Sequence, residues 1–556
     1  MSARGEDSVV AEARTLPELL RRAVAVHADR TALVTIDERF TYGALEERVD
    51  QLARALVAAG VGKGSHVGLL MENGPDWVAF AFAATGLGAL LVPISTFSKP
   101  DDLAYQLRHA DIEHLFLSAR FLKNDYLAML RSLVPELDAG APGTWFSEAL
   151  PALRRVVVRG AERPPRGCTS FEDFEAGRHA VPAAIPRALR DEVDPEDVCY
   201  LLYTSGTTAR PKGALHVHGA VARNGWCIGE YQGLVADDAV WFYYPLFFSA
   251  GCINVMLGTL SHGAALILQP GFDPGDAIAL IEREQATTWH LWPHTLKALT
   301  QHPDWRTRDH SRLHKGTGPF DAMQGGPPED GLGGVNMYGM TETCTAFTCT
   351  RADDSLRIRL TTQGHPMPGN QLKIVDPESG ERLPDGQAGE ICVKGPTVLR
   401  RYYKVDPAET FDSEGFFRTG DLGHLDAEGR LCFGQRIKDT IKTGGINVSP
   451  ADVEARLMQI GGVAAAYAFP LPAGDRGEVV GAALVVAPDA GPTEEAILAH
   501  CQETLSGYKR PEGVLLLSEE QVPMTGSGKV QKGILRERLI ASMKEQGRSV
   551  VRWGDS

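Results

Sequence analysis

After Thr41, apolar residues recur at helical spacing (Leu45, Val49, Leu52 and Leu56), which predicts an amphipathic helix capped by the Thr41 hydroxyl. The short apolar run Val67-Gly-Leu-Leu-Met71 then predicts a buried strand, followed by a second helix over 77–84. Alternation of this kind returns at 264–268, 276–283 and 287–291, and Val198-Cys-Tyr-Leu-Leu-Tyr203 is a further strand-like run. Strands alternating with helices predict an α/β fold of stacked layers with largely parallel sheets. Residues 138–186, rich in Pro, Gly and Arg, are expected to include an irregular surface loop. After Gln363 the texture changes to short strands and turns at 371–375, 389–393 and 430–433, which predicts a small β-rich subdomain. Beyond Lys438 a compact α/β unit is predicted, with helices at 451–459 and 494–504 and strands at 463–468 and 481–486.

At 556 residues the chain is too long for one core and predicts two or more domains. Hydrophobic and charged contents of 43% and 23% are those of an ordinary globular enzyme. The net charge of −15 argues against a general nucleic-acid binder, while leaving room for a local basic pocket. The nine cysteines form no C-x-x-C pair and no zinc-type cluster, so reduced thiols are expected. Residues 1–15 are charged and lack the apolar segment of a signal peptide. The uncharged run 78–98 contains Gly86, Gly88 and Pro93 and reads as helix, turn and strand, not as a membrane span. A cytoplasmic enzyme, monomeric or homodimeric, is the expectation.

The most informative stretch is Tyr203-Thr-Ser-Gly-Thr-Thr-Ala-Arg-Pro-Lys-Gly213. It places four hydroxyls (Thr204, Ser205, Thr207 and Thr208), the mobile Gly206 and the cation of Lys212 directly after a strand. Hydroxyls and backbone N–H groups donate to phosphate oxygens, glycine lets the backbone approach, and lysine adds charge. The Walker A spacing is absent. A solvated Ser/Thr/Gly turn would explain the hydroxyls alone, but not the attached Pro211-Lys212-Gly213.

Further motifs follow in order: Tyr338-Gly-Met-Thr-Glu342, Arg418-Thr-Gly-Asp421, Arg436-Ile-Lys-Asp-Thr-Ile-Lys442 with Gly444 and Gly445, and Pro523-Met-Thr-Gly-Ser-Gly-Lys529. Phe40-Thr-Tyr42 and Gly88-Ala-Leu-Leu-Val-Pro93 precede them. Together these resemble the signatures of the adenylate-forming superfamily, closest to acyl-CoA synthetases, over nearly the whole chain. The resemblance implies a large N-terminal adenylating domain (1–436) and a mobile C-terminal α+β domain (437–556). It also implies activation of a carboxylic acid by ATP as an acyl-adenylate, release of pyrophosphate, and transfer to CoA.

By the same resemblance, Thr204, Ser205, Gly206, Thr207, Thr208 and Lys212 embrace the β- and γ-phosphates. Tyr338 stacks on adenine, Thr341 touches the α-phosphate, and Glu342 holds Mg²⁺. Alone, Glu342 in Thr-Glu-Thr is the usual carboxylate of a helix start; the preceding Tyr-Gly-Met-Thr reverses that reading. Asp421 accepts from both ribose hydroxyls and Arg436 faces the ribose. Lys529, read alone, is a solvated lysine; in the family it stabilises charge during adenylation. Lys438 matches the hinge, and Lys442, Gly444 and Gly445 face the pantetheine arm of CoA. Gly316, Thr317 and Gly318 form a turn beside the nucleotide. The acyl pocket is drawn from that turn with Phe247, Phe248, Gly251, Cys252, Met340 and Thr345.

Three positions depart from the family pattern: Ala209 and Gln435 replace usual glycines, and Phe248 replaces a frequent histidine. No acidic partner for an α-amine is evident, which favours a plain aliphatic or aromatic acid. Alternative acceptors within the superfamily are the phosphopantetheine of a carrier protein, an amine, or nitrite in the ATP-dependent diazotisation of an arylamine.

Overall fold

The computed structural model describes residues 13–204, 211–291, 293–318, 332–443, 446–473, 478–486, 491–505, 507–525 and 529–547. The chain divides into two units. The first comprises Met1–Lys373, Cys392–Arg418 and Leu425–Cys432, and the second Ile374–Ile391, Thr419–His424 and Phe433–Ser556.

Two sheets organise the first unit. The six-stranded sheet runs in the order Lys315–Thr317, Thr288–His290, Ala239–Phe242, Ala265–Leu268, Thr31–Val34, Arg39–Thr41. Its first five strands are parallel and the last is antiparallel. The eight-stranded sheet runs Arg401–Tyr402, Lys212–Val217, Val198–Thr204, Leu90–Pro93, His66–Leu70, His114–Ser118, Arg155–Arg159, Thr169–Ser170. It is parallel from Val198–Thr204 onward; at the other end Lys212–Val217 is antiparallel to both its neighbours, Val198–Thr204 and Arg401–Tyr402.

Period-two alternation along each strand sends successive side chains into different layers. Val240 and Phe242 join the core between the sheets, while Ala239 and Trp241 face the outer helices. Leu69 likewise faces the central layer and Leu70 the opposite face. Helices Leu16–His27, Tyr42–Ala58, Pro75–Gly86 and His218–Tyr231 contribute to the central core. The helix expected after Thr41 is present, and the Thr41 hydroxyl accepts from the Ala44 N–H at 3.1 Å. The uncharged run resolves into Pro75–Gly86 and the strand Leu90–Pro93. Among the described residues no helix is long and apolar enough to cross a membrane.

The segment 138–186 includes irregular stretches at 139–154 and 160–168, as expected, but also ordered elements. Arg155–Arg159 is a strand of the eight-stranded sheet, parallel to His114–Ser118, and Phe171–Ala176 is a helix capped by Ser170. The run Val156-Val-Val158 is fully buried, so three β-branched residues outweigh the Pro, Gly and Arg around them.

The texture change after Gln363 is a four-stranded sheet of Gln371–Val375, Gly389–Lys394, Phe417–Leu425 and Leu431–Arg436, whose residues are shared between the units. The second unit also holds a three-stranded sheet of Val463–Pro472, Glu478–Val486 and Gly513–Leu517. Helices Pro450–Leu457 and Glu494–Thr504 cover one face through Val453, Leu457, Ile497 and Cys501. Lys532–Glu545 covers the other through Leu535, Leu539 and Met543.

Candidate active site

Strand Val198–Thr204 returns antiparallel as Lys212–Val217, and Thr204 pairs directly with Lys212. The two ends of the expected phosphate loop are therefore held together by a sheet ladder. Ser205, Gly206, Thr207, Thr208 and Ala209 lie outside the described residues. The Tyr105 hydroxyl donates to the Pro211 carbonyl at 2.9 Å, and Tyr203 donates to Gln106 O at 3.2 Å, so helix Pro100–His109 braces both sides of the loop's base.

Glu342 lies in the 3-10 turn Thr341–Thr343 and is 9% exposed. Its Oε1 accepts from the Tyr402 hydroxyl at 2.7 Å, and its backbone carbonyl accepts from Leu399 N at 2.7 Å. Tyr402 sits on the edge strand paired with Lys212–Val217, opposite Ala214. The Lys212 ammonium lies 4.8 Å from the centre of the Tyr402 ring. Burial, then the Glu342 carboxylate, pushes the Tyr402 phenol well up, so the hydroxyl keeps its proton and remains a donor. Sequence reasoning missed Tyr402. Nothing local to Arg401-Tyr402-Tyr403 signals a partner 60 residues away, and only the sheet register brings the two together.

The turn carrying Thr341 and Glu342 is pinned from behind. Asn224, fully buried on helix His218–Tyr231, donates to the carbonyls of Cys344 at 2.6 Å and Ala346 at 3.0 Å. Cys344 and Thr345 adopt positive φ (52° and 82°), a conformation that costs a side chain something and so needs such a clamp. Cys344 Sγ lies 3.2 Å from His216 Nδ1, and burial pushes His216 down to about 4. Tyr338 is buried at the end of strand Met337–Tyr338, paired with Thr348.

Gly316, Thr317 and Gly318 close the strand Lys315–Thr317 at the end where, in parallel α/β sheets, ligands bind. Gly316 has φ 127°, and a β-carbon there would meet the Trp289 carbonyl oxygen at 1.8 Å, so no other residue fits. His290 Nδ1 and the Thr317 hydroxyl are 2.7 Å apart, and burial pushes His290 down to about 3.

The expected acyl residues follow the strand Ala239–Phe242. Asn73 holds this segment by donating to Tyr244 O at 2.7 Å and accepting from Leu246 N at 2.8 Å. Phe247 and Phe248 have ring centres 4.2 Å apart, and Phe97 meets Phe247 edge-on at 5.6 Å. Gly251 is forced by the Pro245 carbonyl, 2.6 Å from where its β-carbon would lie. Cys252 is fully buried in the central core. Met340 and Thr345 are half-buried on either side of the Thr341–Thr343 turn.

In the second unit, Asp421 is buried on Phe417–Leu425, and its Oδ1 lies 3.5 Å from Arg436 Nε. Lys442 is in the strand Ile441–Thr443, antiparallel to Ile446–Val448 with Thr443 opposite Ile446. Gly444 and Gly445, the two residues between those strands, lie outside the described residues. Lys529 is exposed at the foot of a turn in which Thr525 N–H donates to Lys529 O at 2.7 Å and Lys529 N–H to Thr525 Oγ1 at 3.0 Å.

Residues 20–403 match the AMP-binding enzyme family, and residues 452–529 match the AMP-binding enzyme C-terminal domain. The chain belongs to the AMP-binding enzyme family. Within it, the chain is 31% identical over 536 residues to the putative acyl-CoA synthetase YngI of Bacillus subtilis (strain 168), covering 95% of this chain and 97% of that one. It is 33% identical to the acyl-CoA ligase sidI of Aspergillus fumigatus, covering 96% of this chain and 92% of the relative. Among solved AMP-binding enzymes, the anthranilate CoA ligase AuaEII in complex with anthranoyl-AMP superposes with a TM-score of 0.79 at 28% identity. The match covers 95% of this chain and 98% of that one. ATP-bound MatB from Rhodopseudomonas palustris gives 0.77 at 27% identity, over 94% and 99% of the two chains. The α/β architecture, with a large N-terminal and a small C-terminal domain, is that of the adenylate-forming enzymes.

Proposed function

We propose that the protein is an AMP-forming carboxylate–CoA ligase. The observation that carries this reading is the buried Glu342 carboxylate, oriented by Tyr402 and joined through that ring to Lys212 at the base of the phosphate hairpin. A carboxylate resists acyl transfer because it is anionic and lacks a good leaving group. Its oxygen therefore attacks the α-phosphorus of ATP, the bond to the β-phosphate oxygen breaks, and the electron pair leaves with pyrophosphate. Negative charge builds on the phosphates, so the site needs oriented donors and cations rather than a covalent nucleophile. Lys212 and the hydroxyls of the hairpin serve the β- and γ-phosphates, and Thr341 serves the α-phosphate.

Glu342 fits a magnesium ligand: it is buried, one oxygen is held by Tyr402, and no other side chain among the described residues occupies the second. No cluster of three metal-binding side chains exists among the described residues, as suits Mg²⁺, which takes one or two carboxylates together with substrate phosphates and water. Bound there, Mg²⁺ supplies neutralisation of phosphate charge.

Asp421 accepts from the ribose hydroxyls, with Arg436 beside it. Lys529 stabilises charge in this first step. In the second, the CoA thiol attacks the acyl carbonyl and AMP leaves. Residues 437–556 re-orient about Lys438 between the two steps, bringing the hairpin at Gly444 and Gly445 to the pantetheine arm. The acid is a plain carboxylic acid, aliphatic or aromatic.

The test is pyrophosphate release by the full chain with ATP, Mg²⁺ and a panel of acids, each with CoA, carrier protein, an amine or nitrite. Acid-dependent release with a CoA thioester as product is expected. Absence of acid-dependent release across the panel rejects adenylation. Release whose acyl product forms only with carrier protein or an amine, or whose only product is a diazonium formed from nitrite and an arylamine, rejects CoA as the acceptor.

A further inference from the structure

We propose that Tyr402 is a positioning residue that sets the metal-binding carboxylate and the phosphate-binding lysine together as one assembly. This rests on the ligase reading above, and three independent contacts carry it. The first is sheet register. Tyr402 stands opposite Ala214, two residues along the strand from Lys212, so Tyr402, Ala214 and Lys212 emerge on one face of the sheet. The second is the hydroxyl, which donates to Glu342 Oε1 at 2.7 Å from a residue only 8% exposed. A phenolic O–H facing a buried carboxylate makes a charge-assisted bond, stronger than one between neutral partners. The third is the ring face, over which the Lys212 ammonium lies at 4.8 Å.

Backbone contacts reinforce the assembly. Leu399 N–H donates to Glu342 O at 2.7 Å, Arg400 N–H to Leu215 O at 2.8 Å, and Tyr403 N–H to Gly213 O at 2.8 Å. Residues 399–403 thus stitch the Glu342 turn to the strand that bears Lys212. A free carboxylate would rotate between rotamers and offer either oxygen. With Oε1 committed to Tyr402, the carboxylate presents a fixed second oxygen to a cation. The ring meanwhile offers the exposed Lys212 side chain a preferred resting place, which lowers the ordering cost when triphosphate arrives. The two halves of Tyr402 therefore have separable duties, the hydroxyl toward the metal and the ring toward the phosphates.

The experiment uses the full chain with Tyr402→Phe, which keeps the ring and its packing, and Tyr402→Leu, which removes both parts. Calorimetric ATP affinity is measured in excess Mg²⁺ and in EDTA, and pyrophosphate release is followed against free Mg²⁺. For Tyr402→Phe, metal-free ATP affinity should stay within about twofold of wild type, while the half-saturating Mg²⁺ rises on the order of tenfold. Tyr402→Leu should show that rise and also lose about two- to fivefold in metal-free ATP affinity. The inference is overturned if Tyr402→Phe leaves the Mg²⁺ dependence unchanged. It is equally overturned if affinity falls to the same extent with and without metal in a variant of lowered melting temperature, the pattern of a purely structural residue. Wild type that binds no ATP and releases no pyrophosphate would reject the ligase reading itself, and this inference with it; wild type that does both, beside an unshifted Tyr402→Phe, rejects the inference alone.

Discussion

Lys529 shows how much a single residue can say in sequence and how its setting constrains its role. It is exposed on a turn closed by reciprocal bonds between its backbone and Thr525, which fix where its side chain starts. Such a cation suits the step in which phosphate charge develops. Lys529→Ala should slow acid-dependent pyrophosphate release by about 10²–10³, the cost of removing one stabilising donor. Transfer from a supplied acyl-adenylate to CoA should persist at near wild-type rate. Equal loss in both half-reactions, measured with the synthetic adenylate, would reject the assignment. Gly316 is a residue of the opposite kind, with no chemistry of its own. Gly316→Ala drives a methyl into the Trp289 carbonyl and forces a β-carbon into positive φ. A destabilisation of about 2–4 kcal/mol is expected, read as a lowered urea midpoint; an unchanged midpoint would show that the strand relaxes freely. Thr341, Glu342 and Asp421 stand out in the sequence because their neighbours form motifs that resemble those of the family. Tyr402 and Asn224 do not, because what makes them important is a partner that only a sheet ladder or a helix contact supplies.

Among elements, the periodic ones were read well. The helix Tyr42–Ala58 and the strands His66–Leu70, Ala265–Leu268 and Thr288–His290 all follow from apolar spacing and punctuation. The strand Arg155–Arg159 escaped because its five residues lie within a Pro- and Gly-rich stretch, and a short apolar run carries little periodicity. The hairpin Ile441–Thr443/Ile446–Val448 is the element that tests the proposed acceptor. On the ligase reading proposed above the pantetheine arm passes this hairpin, so Gly445→Leu should abolish thioester formation while sparing acid-dependent pyrophosphate exchange. A variant that still forms thioester at the wild-type rate would mean that the acceptor does not pass this hairpin.

At the scale of the whole molecule, three histidines packed into the first unit link stability to pH. Burial pushes His216 and His218 down to about 4 and His290 to about 3, from an ordinary value of 6.5. For His218 a nearby Asp197 partly opposes this and Lys63 adds to it. The unfolded chain takes up these protons near pH 6.5 and the folded chain does not. Their contribution is therefore complete above pH 6.5 and is lost as pH falls from 6.5 toward 4, by about 1.4 kcal/mol per pH unit for each group. The urea midpoint should fall steadily between pH 7 and pH 5, and His218→Gln should make that fall shallower; a flat profile would show that these imidazoles are solvated. The sequence by itself determined the reaction class, the order of the motifs and the layered α/β architecture. Loops, caps and strand alternation depend on neighbours within a few residues, and these are written consecutively. Tertiary structure alone decided that a tyrosine on the edge strand Arg401–Tyr402 grips Glu342 and lies beneath Lys212, and that Asn224 clamps the residues that follow Glu342. These contacts depend on sheet order, register and helix packing, which arise when separated segments compete to bury their faces, so no local stretch of the chain encodes them.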